Sequence, residues 1–379
     1  MGENAKKERP VRLPNIFEAV LPILVMMVLM IYGFLGGGDY TDAHMPLVIS
    51  IAVACIIGGI CGHSFSDMLA GMLDRLNATM EAILILCTVG ILVATFIMSG
   101  TIPALIYYGL DLLTPSLFLP VGCLMVSIVS LACGSSWTAT ATIGIAFLGI
   151  GAGLGINPAL TAGMVISGAY VGDKFSPLSD TTNLAAAVAQ TGLFDHVTAM
   201  ISTTAPTFII SLILYTILGL NIDTSNFDAS VATDLQHALA EGFNLNPLVL
   251  LPIAVIIVVC ILKMPGLVGI AISVGVGILC TMVFQGMHSV SDLFNTLHYG
   301  ITLESSNDLA NELLSRGGMD SQMWTINLIL LAVAYGGALE RCGCIETLFG
   351  KLKHKLHSVG SLILATLLTS LFCDATMCD

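Results

Sequence analysis

Charge is scarce in this chain. Asp, Glu, Lys and Arg make up 10% of its 379 residues, against 56% hydrophobic residues, whereas soluble domains carry about 25% charged residues. That scarcity excludes a large soluble helical bundle. The net charge of −13 is no sign of a nucleic-acid partner, because the basic residues sort to one side of the apolar runs. Other signatures are missing as well. There is no GxxxxGK[ST] loop to cradle a nucleotide, no HExxH and no CxxC. The eight histidines read mostly as loop residues. The eleven cysteines are scattered, and Cys55, Cys87, Cys123, Cys260 and Cys280 lie inside apolar runs, where they read as small apolar side chains. Cys342 and Cys344 form a lone CxC, for which a redox pair or a metal site is the alternative reading.

What the chain has instead is long apolar runs: Ile16–Leu35 with the single charge Glu18, then Asn246–Leu262, Gly266–Phe284, Met323–Leu339 and Val359–Phe372. About 20 apolar residues cross a bilayer, fewer where a helix is short or broken. The fold class expected is an all-α polytopic membrane protein. The first run has no small-residue cleavage site and reads as a span rather than a signal peptide.

Lys and Arg near span ends mark the cytoplasmic side. With the N-terminal segment 1–14 inside, alternate counting puts ten of the twelve basic residues inside, leaving out Lys174 and Arg316. The loop Asn221–Asn244, acidic and without Lys or Arg, falls outside.

The sequence also repeats itself. Met45-Pro-Leu-Val parallels Met264-Pro-Gly-Leu-Val, and His63-Ser-Phe-Ser-Asp67 parallels His288-Ser-Val-Ser-Asp292. After an insertion at Glu304–Met319, the run from Ala82 parallels the run from Thr325, and Ser99-Gly-Thr-Ile parallels Cys342-Gly-Cys-Ile. The sidedness count inverts the second copy relative to the first, which is the plan of many secondary transporters. The expected division is residues 15–245 for the first spans and repeat one, and 246–379 for repeat two.

Two stretches at membrane depth carry helix-break signals: Cys133–Gly144, reading CGSSWTATATIG, and the polar segment from Gly168 and Gly172 through Pro177 to Asn183. Irregular backbone at that depth must be buried in protein or line a wet cavity. It frees carbonyl oxygens, and Ser, Thr, Asn and Asp add side-chain oxygens that suit a small hard cation. The glycines let two helices approach closely and give the backbone its unusual angles. The candidate ion-binding residues are Asp173, Ser176, Asp180, Thr181, Thr182, Asn183, Ser135, Ser136 and Thr138, with Asp173, Asp180 and Thr181 as direct ligands of Na+. A carboxylate inside a membrane is costly unless paired and is a functional candidate by default. The plainer readings are a pair with Lys174 or a helix cap for Asp173, and an N-cap for Asp180. Lys174 also reads as a snorkelling residue, and Trp137 as a packing or interface aromatic.

The stretch from Cys133 to His196, containing GDKFSPLSDTTN, resembles the NhaC family of sodium/proton antiporters, carriers of the inverted-repeat type; the resemblance extends along essentially the whole chain. The family signature falls on Gly172, Asp173, Lys174, Ser176, Pro177, Leu178, Ser179, Asp180, Thr181, Thr182 and Asn183, and a GSSW element on Gly134–Trp137. The resemblance implies a multi-pass protein of the cytoplasmic membrane that exchanges internal Na+, or Li+, for external H+ by alternating access. It implies no enzymatic activity and no cofactor. Sodium-linked malate/lactate antiporters are relatives, so a small organic anion is the alternative cargo, and a homo-oligomer is a further expectation. An intramembrane aspartyl protease and a passive channel are the rivals of other classes. The chain departs from the family at its end: Leu371–Asp379 aligns by the repeat offset with Leu131–Ser136, and the counterpart of Trp137–Asn183 is absent. The chain is therefore expected to be C-terminally incomplete, with Asp374 and Asp379 as the last contributors from repeat two.

Overall fold

The computed structural model describes residues 11–34, 42–134, 136–176, 179, 181–182, 185–186, 191–222, 229–262, 264, 266–353, 360–361, 363–368 and 370. Among them every regular element is a helix. In chain order these are α1 (Ile16–Phe34), α2 (His44–Ile60), α3 (Phe65–Met98), α4 (Thr101–Leu112), α5 (Pro115–Cys133), α6 (Ser136–Ala139), a π-helical turn at Thr140–Gly144, and α7 (Ile145–Gly153). They continue with α8 (Pro158–Phe175), α9 (Leu193–Leu220), α10 (Ala229–Gly242), α11 (Leu251–Ile261), α12 (Gly266–Phe284), α13 (Val290–Tyr299), α14 (Asp308–Leu314), α15 (Met323–Arg341) and α16 (Cys344–Lys353).

Four helical stretches among the described residues are long and apolar enough to cross a membrane, and six if each of two bent pairs is one span. One pair bends by 41° between Met80 and Ile83, the other by 94° between Gly242 and Pro247. The protein is a multi-pass helical membrane protein. Glu18, the one charge of the first run, sits in the first turn of α1. It accepts a 2.7 Å bond from the Asn15 N–H and two 2.8 Å bonds from Arg12, while Asn15 Oδ1 accepts from the Glu18 N–H at 2.9 Å. This reciprocal cap holds the carboxylate at the helix end.

The helix α9 was not among the expected runs. Its hydroxyls dilute the apolar pattern, but they are satisfied inside the helix. Thr198 donates to the Phe194 carbonyl at 2.7 Å, Ser211 to Thr207 at 2.9 Å and Thr216 to Leu212 at 2.7 Å. A hydroxyl bonded to its own helix can face lipid. The acidic loop expected at Asn221–Asn244 contains α10, and the insertion at Glu304–Met319 contains α14, whose Ala310 and Leu314 are buried. The histidines are also less loop-bound than expected: His44, His196, His237 and His298 lie in helices, His63 and His288 between them, and His354 and His357 outside the described residues.

The repeated motifs fold alike locally. In both HSxSD motifs the serine opens a helix. Ser64 Oγ accepts from the Asp67 N–H at 3.1 Å before α3, and Ser289 Oγ accepts from the Asp292 N–H at 3.3 Å before α13. A glycine with positive φ precedes each: Gly62 at 101° and Gly286 at 69°. The later pair also matches, with Gly100 at φ 81° between α3 and α4 and Gly343 at φ 79° between α15 and α16. At these turns the left-handed backbone favours glycine.

The chain forms two compact units, Met1–Leu84 with Met323–Asp379, and Ile85–Gln322. Each unit takes residues from both sides of the division expected at 245/246. In the first unit α1, α2 and α15 pack around Leu47, Ile57, Tyr335 and Leu339. In the second, one core gathers Phe96, Ile102, Ile106, Leu235 and Ile256, and another gathers Phe118, Cys123, Phe147, Met164 and Val165 from α5, α7 and α8.

Candidate functional site: the broken end of helix α8

The site lies in the second unit, where α5 and α8 pack backbone against backbone. A Cβ added at Gly168 would stand 2.6 Å from the Cys123 carbonyl oxygen, and one at Gly172 would meet the Ser127 carbonyl oxygen. Ser130 Oγ reaches across to donate to the Ala169 carbonyl at 2.5 Å. Contrary to the break expected there, Gly168 and Gly172 do not interrupt the helix: α8 runs unbroken from Pro158 to Phe175, and the two glycines serve the close approach of two helices. The break comes one residue later, with Ser176 in extended backbone (φ −80°, ψ 122°) just before Pro177. Proline disfavours helical geometry in the residue before it.

The other expected break is present. α5 ends at Cys133, and Gly134 follows in the left-handed conformation (φ 65°), its N–H bonded to the Ser130 carbonyl at 2.8 Å. The four-residue α6 and the π-helical turn come next. A π turn inside an apolar helix shifts the hydrogen-bond register, a distortion frequent at functional sites. Ser136 is half-buried and Trp137 exposed on α6, while for Thr138 only the backbone is described.

Past the end of α8 the chain folds back on it. The Thr181 hydroxyl donates to a carboxylate oxygen of Asp173 at 3.2 Å, and Ser179 Oγ lies 2.9 Å from Thr181 Oγ1. Thr182 Oγ1 bonds the Asp173 carbonyl at 3.3 Å, which also accepts from the Ser176 N–H at 3.1 Å, and reaches the Lys174 carbonyl at 3.5 Å. Asp173, Ser176, Ser179 and Thr182 are buried, and Thr181 is exposed. The geometry joins Asp173, Ser176, Thr181 and Thr182 of the expected set. It adds Ser179, absent from that set although it stands in the same hydroxyl run. Ser135, Asp180, Asn183, Asp374 and Asp379 lie outside the described residues. Among the described residues no ion pair joins Lys174 to Asp173, and no three His, Cys, Asp or Glu side chains cluster around a possible metal position. A cation held here would be a hard one, held by a carboxylate, hydroxyls and carbonyls. A carboxylate can also take a proton, which removes the charge that holds the cation.

The comparisons with known proteins bear on the same segment. The model of the Na+/H+ antiporter family matches residues 168–379, beginning at Gly168 on α8. The chain belongs to the Na+/H+ antiporter family. It is 37% identical over 330 residues to the Na+/H+ antiporter NhaC of Alkalihalophilus pseudofirmus, covering 87% of this chain and 71% of that protein. It is 34% identical over 372 residues to the malate-2H+/Na+-lactate antiporter of Bacillus subtilis, covering 98% and 78%. It is 36% identical over 377 residues to the arginine/ornithine antiporter ArcD of Halobacterium salinarum, covering 98% and 76%. No solved structure matches the chain.

Proposed function

We propose that the protein is a secondary antiporter that exchanges internal Na+, or Li+, for external H+ across the cytoplasmic membrane. The observation that carries this reading is the buried Asp173 carboxylate, bonded by Thr181 at 3.2 Å at the end of a helix inside the family-matched segment. Na+ and H+ compete for that carboxylate or for Asp180, and competition at one site is enough to couple the two fluxes. Ser135, Ser136, Thr138, Ser176, Thr182 and Asn183 complete the oxygen shell, with Asp374 and Asp379 contributing from the second repeat. Inverted repeats rocking about the site give alternating access. The N-terminus is inside, as the distribution of Lys and Arg suggests. The protein acts as a carrier and not as an enzyme, embedded in lipid and as a homo-oligomer.

A second reading, exchange of small organic ions, is favoured by the similarity to the malate/lactate and arginine/ornithine antiporters. Identities of 34–37% to all three relatives do not choose between these cargoes. Proteoliposomes with an internal pH dye separate them. Under the Na+/H+ reading, a Na+ pulse alone moves protons. Proton movement that appears only with malate, lactate or a basic amino acid on the opposite side transfers the assignment to the second reading.

A further inference from the structure

Two helix breaks in this chain share one local design. At Ser99-Gly100-Thr101, α3 gives way to α4; at Cys342-Gly343-Cys344, α15 gives way to α16. Both central glycines are left-handed, at φ 81° and 79°, and all four flanking side chains are 0% exposed. In the first break the Ser99 and Thr101 hydroxyl oxygens are 2.7 Å apart, and Ser99 Oγ lies 3.3 Å from the carbonyl oxygen of Phe96, three residues back. In the second the Cys342 and Cys344 sulfurs are 3.0 Å apart, and Cys342 Sγ lies 3.4 Å from the carbonyl oxygen of Leu339, again three residues back. The left-handed glycine turns its two neighbours toward each other in both places. Hydroxyls in that position can only share a proton. Thiols can also be oxidised to a bond.

We propose that Cys342 and Cys344 form a modification site, a dithiol that a small peroxide oxidises reversibly to an intrachain disulfide. A thiolate of the pair attacks one peroxide oxygen, the O–O bond breaks, and a sulfenic acid and hydroxide form. The second thiol then displaces the sulfenic oxygen as water, and the S–S bond closes. With hydrogen peroxide the sum is two thiols and one peroxide going to one disulfide and two waters, the sulfurs giving up two electrons. Burial selects a small oxidant, because sulfurs without exposed surface exclude a bulky disulfide reagent. The hydrogen bond shared with Cys344 pulls the Cys342 thiol below its usual value, against the effect of burial, which favours the thiolate that starts the reaction. Among the described residues no other sulfur–sulfur hydrogen bond occurs, so this pair is singled out among the cysteines.

Oxidation would bring the sulfurs from 3.0 Å to about 2 Å. It would close a ring over Gly343 and tie the last turn of α15 to the first turn of α16. A ring closed over a single residue is tight, and strained disulfides are the readily reduced, regulatory kind.

The sequence makes the test clean. Trypsin cuts after Arg341 and Lys351, so both sulfurs fall in one peptide that holds no other cysteine. Membranes carrying the full chain are treated with hydrogen peroxide, denatured, alkylated and digested. The expected peptide is two hydrogens lighter than the reduced form and carries no alkyl group; after dithiothreitol it carries two. The same result is expected in a Cys61→Ser variant, which removes a nearby buried thiol. A doubly alkylated peptide after peroxide, sulfinic acids without a disulfide, or a cross-link to the Cys61 peptide overturns the proposal.

Discussion

Thr181 donates its hydroxyl proton to Asp173 across a 3.2 Å bond, eight residues back along the chain. The bond exists because α8 stops at Phe175 and the following residues fold over its end. It joins an exposed residue to a buried carboxylate. Asp173→Asn keeps the shape and removes the charge. Na+-driven proton movement is expected to vanish in this variant while the purified protein stays folded; full flux removes Asp173 from the mechanism. Thr181→Ala loses a hydrogen bond to a charged group, worth about 1.5 kcal/mol at the lower end. Its half-saturating Na+ concentration is expected to rise roughly tenfold, and an unchanged value would separate Thr181 from the cation site.

The close crossing of α5 and α8 makes a packing prediction. Gly168→Ala and Gly172→Ala each push a methyl group into a carbonyl of α5. Overpacking of this kind costs about 1–3 kcal/mol, so both variants should melt earlier in detergent. Gly163→Ala on the same helix is the control, because its Cβ would meet only the Tyr215 hydroxyl, 3.8 Å away. Its melting point should stay close to that of the wild type.

The two serine caps can be compared directly. Ser64 and Asp67 satisfy each other in both directions, with Asp67 also accepting from the Ser64 N–H at 3.0 Å. Among the described residues the Ser289 hydroxyl makes a single bond, accepting from the Asp292 N–H at 3.3 Å. Losing a serine cap costs about 1 kcal/mol. Both alanine variants should be destabilised, Ser64→Ala more than Ser289→Ala, and thermal unfolding in one detergent provides the ranking.

At the start of α2, Asp42 accepts from the ring and the backbone N–H of His44, whose other ring nitrogen lies 3.2 Å from the Trp324 carbonyl. The side-chain bond from His44 holds the Asp42 carboxyl below its usual value. A depressed carboxyl stabilises the fold above its unfolded pKa, and that contribution is lost as pH falls through the lower folded value. The melting-temperature gap between wild type and Asp42→Asn should therefore be widest near neutral pH and shrink on acidification. A gap that widens toward acid would contradict the pairing.

What the sequence makes legible is what depends on residues within a turn or two of each other. The apolar runs of α1, α12 and α15 and the breaks after Cys133 and before Pro177 follow from local chemistry, and the structure bears them out; the HSxSD caps and the left-handed glycines beside them are local too, but were found in the structure. The helix α9 escaped because its hydroxyls look polar in a string of letters. Only a helix shows them bonded to their own carbonyls. Gly168 and Gly172 read both as break signals and as small residues for a close helix approach, and the structure keeps only the second, because the sequence says that a glycine is small, not what stands opposite.

The sequence by itself determined a helical multi-pass membrane protein of the Na+/H+ antiporter family, because hydrophobic length is a local quantity and the family's motifs are carried in the order of residues. Only the tertiary structure decided that the carbonyls of α5 press on Gly168 and Gly172, and that Thr181 rather than Lys174 meets Asp173. It also decided that two cysteines read as apolar filler face each other at 3.0 Å. Those relationships depend on the direction of each side chain and on which backbone approaches it, and neither is written in the order of residues.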